Sequence, residues 1–266
     1  MASGSSHPCK SAGQRLSFKP PRPHSGRAMT LGFYLHANTK PAATELCLRS
    51  VRMHHPDSPI VLSCDAGSDY SALSSDIGAS YRHYDERIGP MDPQHGWAKW
   101  QLFRWMDRMR TAVEELGTTH FMMLEDDVHI LRPVTVEPDW ECVGTVRQCE
   151  GQVPTMPDAF LDIIEGFSGV RPEKNYYMTP GGSIFSSSTL LQNYDRVMLF
   201  LTGNYDHIHR NIYFTISWLD CMMTVFYFLC GKPLIESPRL HNLWEPTDLS
   251  KLPQHVEIVH NYKELY

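Results

Sequence analysis

Between Thr30 and Leu124 the chain alternates short, strongly apolar runs with longer segments whose apolar residues recur at helical spacing. The runs predict strands and the longer segments predict helices that cover them. The predicted strands are 31–37, 60–62, 81–88 and 119–124, and the predicted helices are 41–55, 70–79 and 97–116. Repeated β-α-β order predicts an α/β fold with a mostly parallel sheet and helices on both faces.

The second half of the chain is less regular. It contains a predicted helix over 188–203 ended by Gly203, a second over 214–230, and short extended pieces near the end. Residues 1–28 combine Lys and Arg with Ser, Gly and Pro and lack acids, which predicts a disordered basic arm. We therefore expect one folded domain over 29–266, divided into halves at 29–133 and 134–266.

Composition excludes some partners and anchors. The chain has 24 Lys and Arg against 30 Asp and Glu, a net charge of −6, so phosphate would repel it and no nucleic-acid partner is expected. The apolar segment Phe214–Cys230 is short for a bilayer and carries Asp220 at its centre, so it predicts a core helix and no transmembrane segment. The expectation is a soluble protein, cytoplasmic in preference to the Golgi or another organelle.

The arm has no apolar core of the kind that a secretory signal needs, and an organelle-targeting role for it stays open. The chain has seven cysteines and no C-x-x-C pair, which argues against a zinc or redox motif. A disulfide between Cys142 and Cys149 is left open by their spacing.

Three consecutive acids, Glu125, Asp126 and Asp127, follow the apolar run Phe121–Leu124. Crowded carboxylates repel one another unless a cation compensates, and oxygen-rich clusters suit Mg²⁺ or Mn²⁺. Asp65 lies in the turn after the predicted strand 60–62, and ligands of such sheets bind beyond the carboxyl ends of the strands. The alternative is that the acids cap a helix or form a solvated turn.

With these motifs in this order, the chain from Leu31 to Lys263 resembles the GT-A-fold glycosyltransferases, which transfer a sugar from a nucleotide diphosphate. The resemblance is carried by the element order, the segment 34–69, L-E-D-D-V, P-G-G-S-I-F-S, W-L-D and V-H-N-Y-K. It implies a single GT-A-like domain with a Rossmann-like sheet, a nucleotide-sugar-binding first half and an acceptor-binding second half. It also implies Mn²⁺ or Mg²⁺ as cofactor, a nucleotide-sugar donor, a UDP-sugar in the first place, and a hydroxyl acceptor on a glycan, protein or small molecule.

The resemblance also implies roles for particular residues. Asp127 and His260 would hold the metal ion, and Asp220 would remove the proton from the acceptor hydroxyl if the reaction inverts the anomeric centre. Inversion is slightly favoured, although W-L-D lacks the Glu that usually precedes this acid, and a retaining reaction needs no such base. The residues expected to contact the nucleotide sugar are His36, Asp65, Lys99, Glu125, Asp126, Gly181, Gly182 and Lys263.

Two other functions remain open from the sequence. A sugar nucleotidyltransferase shares a related layout, but it normally has a glycine-rich basic loop after the first strand, where this chain offers only Lys40. A catalytically silent glycan-binding protein would need no metal chemistry. Release of UDP from UDP-sugars, consumption of UTP, or neither distinguishes the three.

Overall fold

A computed structural model describes residues 28–88, 99–146, 153, 155–212, 218–243 and 248–260, and at 99, 209–212 and 218–220 it describes the backbone alone. The strands are β1 Leu31–Ala37, β2 Ile60–Asp65, β3 Ser80–Tyr84, β4 His120–Leu124, β5 His129–Ile130, β6 Cys142–Gly144, β7 Ile184–Ser186, β8 Ile235–Glu236, β9 Leu240–Asn242 and β10 Ile258–His260. The helices are α1 Pro41–His54, α2 Ser71–Ile77, α3 Lys99–Leu116, α4 Asp158–Ser168, α5 Ser187–Ile212 and α6 Trp218–Leu229, with a 3₁₀ turn at Leu249–Lys251.

Seven strands form the main sheet, in the order β3-β2-β1-β4-β7-β6-β8. The pairs β3-β2, β2-β1, β1-β4 and β6-β8 are parallel, whereas β7 runs antiparallel to both β4 and β6. This mixed, mostly parallel sheet confirms the predicted α/β class. Strands from both halves of the chain share one sheet, so the whole forms a single domain.

Side chains alternate between the two faces of the sheet and build two apolar layers. Tyr34 and Phe121 pack in a cluster with buried residues of α3, α4, α5 and α6. Their neighbours Phe33 and Met122 belong to a second cluster with α1 and α2. Since successive strand residues point to opposite faces, each face of the sheet is covered by helices, as predicted.

A small second sheet brings distant parts of the chain together. It consists of β5, β10 and β9, with β10 antiparallel to β5 and parallel to β9. We call Glu125, Asp126 and Asp127 the acidic loop. Strand β5 starts two residues after Asp127, so the pairing of β10 with β5 places His260, the last residue of β10, beside this loop. Leu131 N–H extends this pairing by donating to the carbonyl of Glu257 at 2.7 Å.

The largest error in a predicted helix boundary is the end of α5. Helix α5 does not end at Gly203 but continues to Ile212. Gly203 is exposed and a Cβ there would contact nothing, so the helix tolerates glycine at a cost of about 1 kcal/mol. The predicted helix over 214–230 is described from Trp218 to Leu229, and 213–217 lie outside the described residues.

Other expectations fall partly outside the described chain. The basic arm over 1–28 lies there apart from Ala28, and so does Cys149. Cys142 is a buried free thiol in β6. Within the described ranges, no helix has the length and apolarity that a membrane crossing requires.

Candidate metal centre

The acidic loop presents its carboxylates to two sides. It leaves the buried strand β4 and closes in a turn in which Val128 N–H donates to the carbonyl of Glu125 at 3.1 Å. Glu125 and Asp127, two residues apart, both face His260. Asp126 points elsewhere, with its Oδ1 at 3.7 Å from Nζ of Lys40. The three acids are therefore not equivalent.

His260 lies against both of the acids that face it. Its Nε2 is 3.0 Å from Oε2 of Glu125 and 3.3 Å from Oδ1 of Asp127. The His260 side chain is 9% exposed and that of Asp127 is 11% exposed. One ligand atom from each of the three residues lies within 4.8 Å of the other two.

The two carboxylates determine the charge of this imidazole in the metal-free protein. Burial alone lowers the pKa of His260, but hydrogen bonds and charge attraction from Asp127 and Glu125 outweigh it and raise the pKa to about 9. At neutral pH the imidazolium therefore compensates the acids. A cation that binds to Nε2 must displace its proton.

The other ring nitrogen of His260 is also held. Nδ1 lies 3.0 Å from Oδ1 of Asn242, at the end of the neighbouring strand β9. The Asn242 amide in turn donates from Nδ2 to Oγ1 of Thr179 at 2.9 Å and to Oγ1 of Thr145. The ring is thereby fixed with Nε2 directed at the acids.

The Pro180-Gly181-Gly182 turn covers this group closely. A Cβ on Gly181 would lie 2.7 Å from Nε2 of His260, which is closer than side-chain carbons normally approach, and 3.2 Å from Cδ of Glu125, which is a tight contact. Gly182 has a φ of +79° and donates its N–H to the carbonyl of Met123 at 2.8 Å. Only glycine at 181 keeps the space beside the imidazole clear.

These residues fit a divalent cation. Two carboxylates and an imidazole offer one nitrogen and several oxygens, a donor set acceptable to Mn²⁺ and related ions. The ring nitrogen that is not directed at the acids has a hydrogen-bond acceptor, as is usual for ligating histidines. The group Glu125, Asp127 and His260 could thus hold a metal ion, whose identity the donor set does not fix.

A second polar group lies at the carboxyl ends of β1 and β2. The Asp65 side chain is 1% exposed; its Oδ2 accepts from Ile88 N–H at 2.6 Å and its Oδ1 is 3.4 Å from Nε2 of His36. His36 Nδ1 is 2.9 Å from Oγ of Ser63, which is 3.1 Å from the hydroxyl of Tyr34. This chain of contacts holds the His36 ring at the edge where ligands of such sheets bind.

Cations accompany both acidic groups. Burial lowers the pKa of Arg108, and the charge of Asp65 opposes that effect. Burial and the neighbouring acids raise the pKa of Asp126, while Lys40 lowers it. Lys40 immediately precedes α1, whose first turn contains no acid. A positive side chain and a helix N-terminus thus lie beside the acidic loop.

A cleft of about 960 Å³ in the second half of the chain is linked to the metal group through Asn242, which lines the cleft and contacts His260. Asn242 and Thr145 line the cleft, and the Asn242 amide that holds the His260 ring donates to the Thr145 hydroxyl. Across the cleft are Tyr176 and Glu236, both of which interact with Lys174. The cleft therefore presents hydroxyls, an amide, a carboxylate and an aromatic ring.

The structure brings together some of the predicted site residues. Glu125, Asp127, His260 and Gly181 meet at the metal group, with Gly182 in the same turn. His36 and Asp65 contact each other at the neighbouring strand ends.

Three predicted residues cannot be placed in either group. Lys99 and Asp220 are described by their backbone alone, in the first turns of α3 and α6, and Lys263 lies outside the described residues. Thr224, four residues after Asp220 in α6, is buried and accepts a hydrogen bond from Met178 N–H at 3.1 Å. This bond holds the segment that leads to Gly181.

Sequence reasoning missed Asn242, assigned Glu125 to the nucleotide sugar and gave Lys40 no place at the site. Asn242 follows one position after an exposed histidine in an irregular segment, and no local pattern marks it. The position of Lys40 could have been predicted from the sequence. It lies between the end of a predicted strand and the start of a predicted helix, and such positions lie at the edge of a parallel sheet where ligands bind. Glu125 and Asp127 lie in one tight turn, closed by the hydrogen bond from Val128 N–H to the Glu125 carbonyl, and this turn brings both acids to His260.

Comparison with known proteins returned no match, either to a protein-family model or to a curated protein.

Proposed function

We propose that this protein is a metal-dependent glycosyltransferase that moves a sugar from a nucleotide-diphosphate donor, foremost a UDP-sugar, to a hydroxyl of an acceptor. The observation that carries the proposal is the group Glu125, Asp127 and His260 at the ligand edge of a mostly parallel sheet. The polar group of His36 and Asp65 at the same edge supports the proposal that a nucleotide binds beside the metal group.

The chemistry of the leaving group fits this arrangement. Glu125, Asp127 and His260 would hold Mn²⁺ or Mg²⁺, which supplies charge neutralisation for the diphosphate as the anomeric bond breaks. Lys40, with its ammonium near Asp126, adds a second positive charge on the opposite side of the loop. Gly181 leaves room for the ligand to approach the metal group closely.

The acceptor side of the proposal rests on the cleft that Asn242 and Tyr176 line, together with Asp220. In the inverting form of the reaction, Asp220 takes the proton of the incoming hydroxyl as general base. A sugar acceptor suits a cleft of hydroxyl, amide and aromatic groups, since the ring of Tyr176 can stack on a sugar face.

UDP release from a panel of UDP-sugars, with Mn²⁺ and with EDTA, tests the reaction. We expect release with at least one donor, dependent on the metal and lost in Asp127→Asn. Asp126→Asn is the matched control, because Asp126 faces Lys40 and not His260, and it should keep most of the metal dependence. UTP consumption with pyrophosphate release instead would assign the protein to the nucleotidyltransferases, and absence of both would leave a glycan-binding role.

The role of Asp220 is tested separately. Asp220→Asn should reduce sugar transfer by about 10²- to 10⁴-fold while UDP binding stays unchanged, because a general base contributes about that factor. A fully active variant would exclude Asp220 as the base and indicate a retaining reaction or another base.

A further inference from the structure

We infer that Asn242 is a positioning residue which keeps Nε2 of His260 as the nitrogen that ligates the metal ion. The inference rests on the metal group and not on sugar transfer, so it stands or falls independently of the proposed reaction. Asn242 is outside the acidic loop and does not belong to the group of ligand atoms.

The hydrogen bond between Asn242 and His260 has a defined direction. Oδ1 of Asn242 can only accept, so the 3.0 Å contact requires that Nδ1 of His260 carries the hydrogen. A neutral imidazole with hydrogen on Nδ1 has its lone pair on Nε2. That nitrogen is the one 3.0 Å from Glu125 and 3.3 Å from Asp127.

The amide of Asn242 cannot readily turn over. Its Nδ2 faces two hydroxyl oxygens, Oγ1 of Thr179 at 2.9 Å and Oγ1 of Thr145. These come from two separate segments, one after β6 and one before the Pro180 turn. Hydroxyls can also donate, but the carbonyl of Val146, 3.5 Å from Nδ2, can only accept, so rotation of the amide by 180° would direct oxygen at oxygen, which is repulsive.

The backbone also holds Asn242 and His260 next to each other. Asn242 and His260 are register partners in the parallel pair of β9 and β10, and Leu243 N–H donates to the carbonyl of His260 at 2.9 Å. Their side chains therefore start from fixed neighbouring positions. Ligating histidines depend on such partners for ring orientation, and loss of the partner typically weakens metal affinity about 10- to 100-fold.

The experiment is Mn²⁺ binding to the full chain at one fixed pH, read as the dissociation constant and as the ¹⁴N coupling from a ligating imidazole in pulsed EPR. The wild-type protein should show nitrogen coupling, His260→Gln should lose it, and His241→Ala, an exposed neighbouring imidazole, should keep it. Asn242→Leu, of similar size but without an acceptor, should bind Mn²⁺ about 10- to 100-fold more weakly and lose or change the coupling.

Asn242→Asp separates positioning from packing, because it keeps an oxygen acceptor at the same place. It should retain the nitrogen coupling that Asn242→Leu loses. Wild-type affinity and coupling in Asn242→Leu would overturn the inference, and so would equal loss of coupling in both variants. If Asn242→Leu fails to fold, Asn242→Ala removes the same acceptor without adding bulk and is judged by the same criteria.

Discussion

Binding of Mn²⁺ to the metal group should release one proton from His260. Its pKa of about 9 leaves only about 1% of the imidazole neutral at pH 7. The apparent affinity at pH 7 should therefore be about 100-fold below its limit at high pH, a difference of about 3 kcal/mol. Between pH 6.5 and 8.5 the dissociation constant should fall about tenfold for each unit of rising pH.

Isothermal titration calorimetry in buffers of different ionisation enthalpy measures both quantities, the proton release and the dissociation constant. We expect about one proton per Mn²⁺ at pH 7. His260→Gln should bind more weakly, release no proton and lose the pH dependence. Asp126→Asn should keep the wild-type slope, because Asp126 lies outside the group.

Little proton release and a weak pH dependence of the dissociation constant would contradict this prediction. Release of less than about 0.3 proton, with a dissociation constant that changes less than about threefold over these two pH units, would mean that His260 does not surrender its proton to the ion. The carboxylates would then bind the cation without the imidazole.

Three further predictions concern stability and space. In the metal-free protein, the pKa of His260 is higher in the folded than in the unfolded state, so protonated His260 stabilises the fold fully below about pH 6.5. This stabilisation is lost as pH rises through about 9. Urea unfolding in EDTA should therefore show the free energy of unfolding falling by up to about 3 kcal/mol over this range, and His260→Gln should not show this fall. Gly181→Ala should weaken Mn²⁺ binding at least about tenfold in calorimetry, because the new Cβ would lie 2.7 Å from Nε2 of His260. Gly166→Ala, which has open space around it, is the control and should bind Mn²⁺ normally. Equal affinities in the two variants would show that Gly181 is not needed to keep the metal group clear. Gly203→Ala should raise the free energy of unfolding by about 0.5–1 kcal/mol, and a loss of stability would contradict a continuous α5.

The parts of the fold that sequence predicted well are those encoded locally. Strand β1 has the predicted bounds Leu31–Ala37, and α1 starts at the predicted Pro41 and ends one residue before the prediction. A run of apolar residues and a proline at the first helical position are signals within one element. The end of α5 was misjudged because an exposed glycine is a weak stop signal that a long packed helix overrides.

The candidate site depends on contacts that no local pattern encodes. The distance from His260 to Glu125 is set by the pairing of β10 with β5, two short strands on either side of most of the second half of the chain. The choice of His260 from the sequence came from its place in the resemblance, not from its spacing. Asn242 belongs to the same category, because its partner at 260 becomes visible only when β9 and β10 are paired.

The sequence distance between Glu125 and His260 is 135 residues, and this gives the small sheet a part in assembly. During synthesis, the acids emerge long before the imidazole, so through that interval Glu125 and Asp127 lack the positive charge that faces them in the folded protein. Docking of β10 is the event that supplies this charge. A chain in which that strand is missing or mispaired lacks the imidazole ligand and should bind divalent cations more weakly, so full cation affinity indicates that folding is complete.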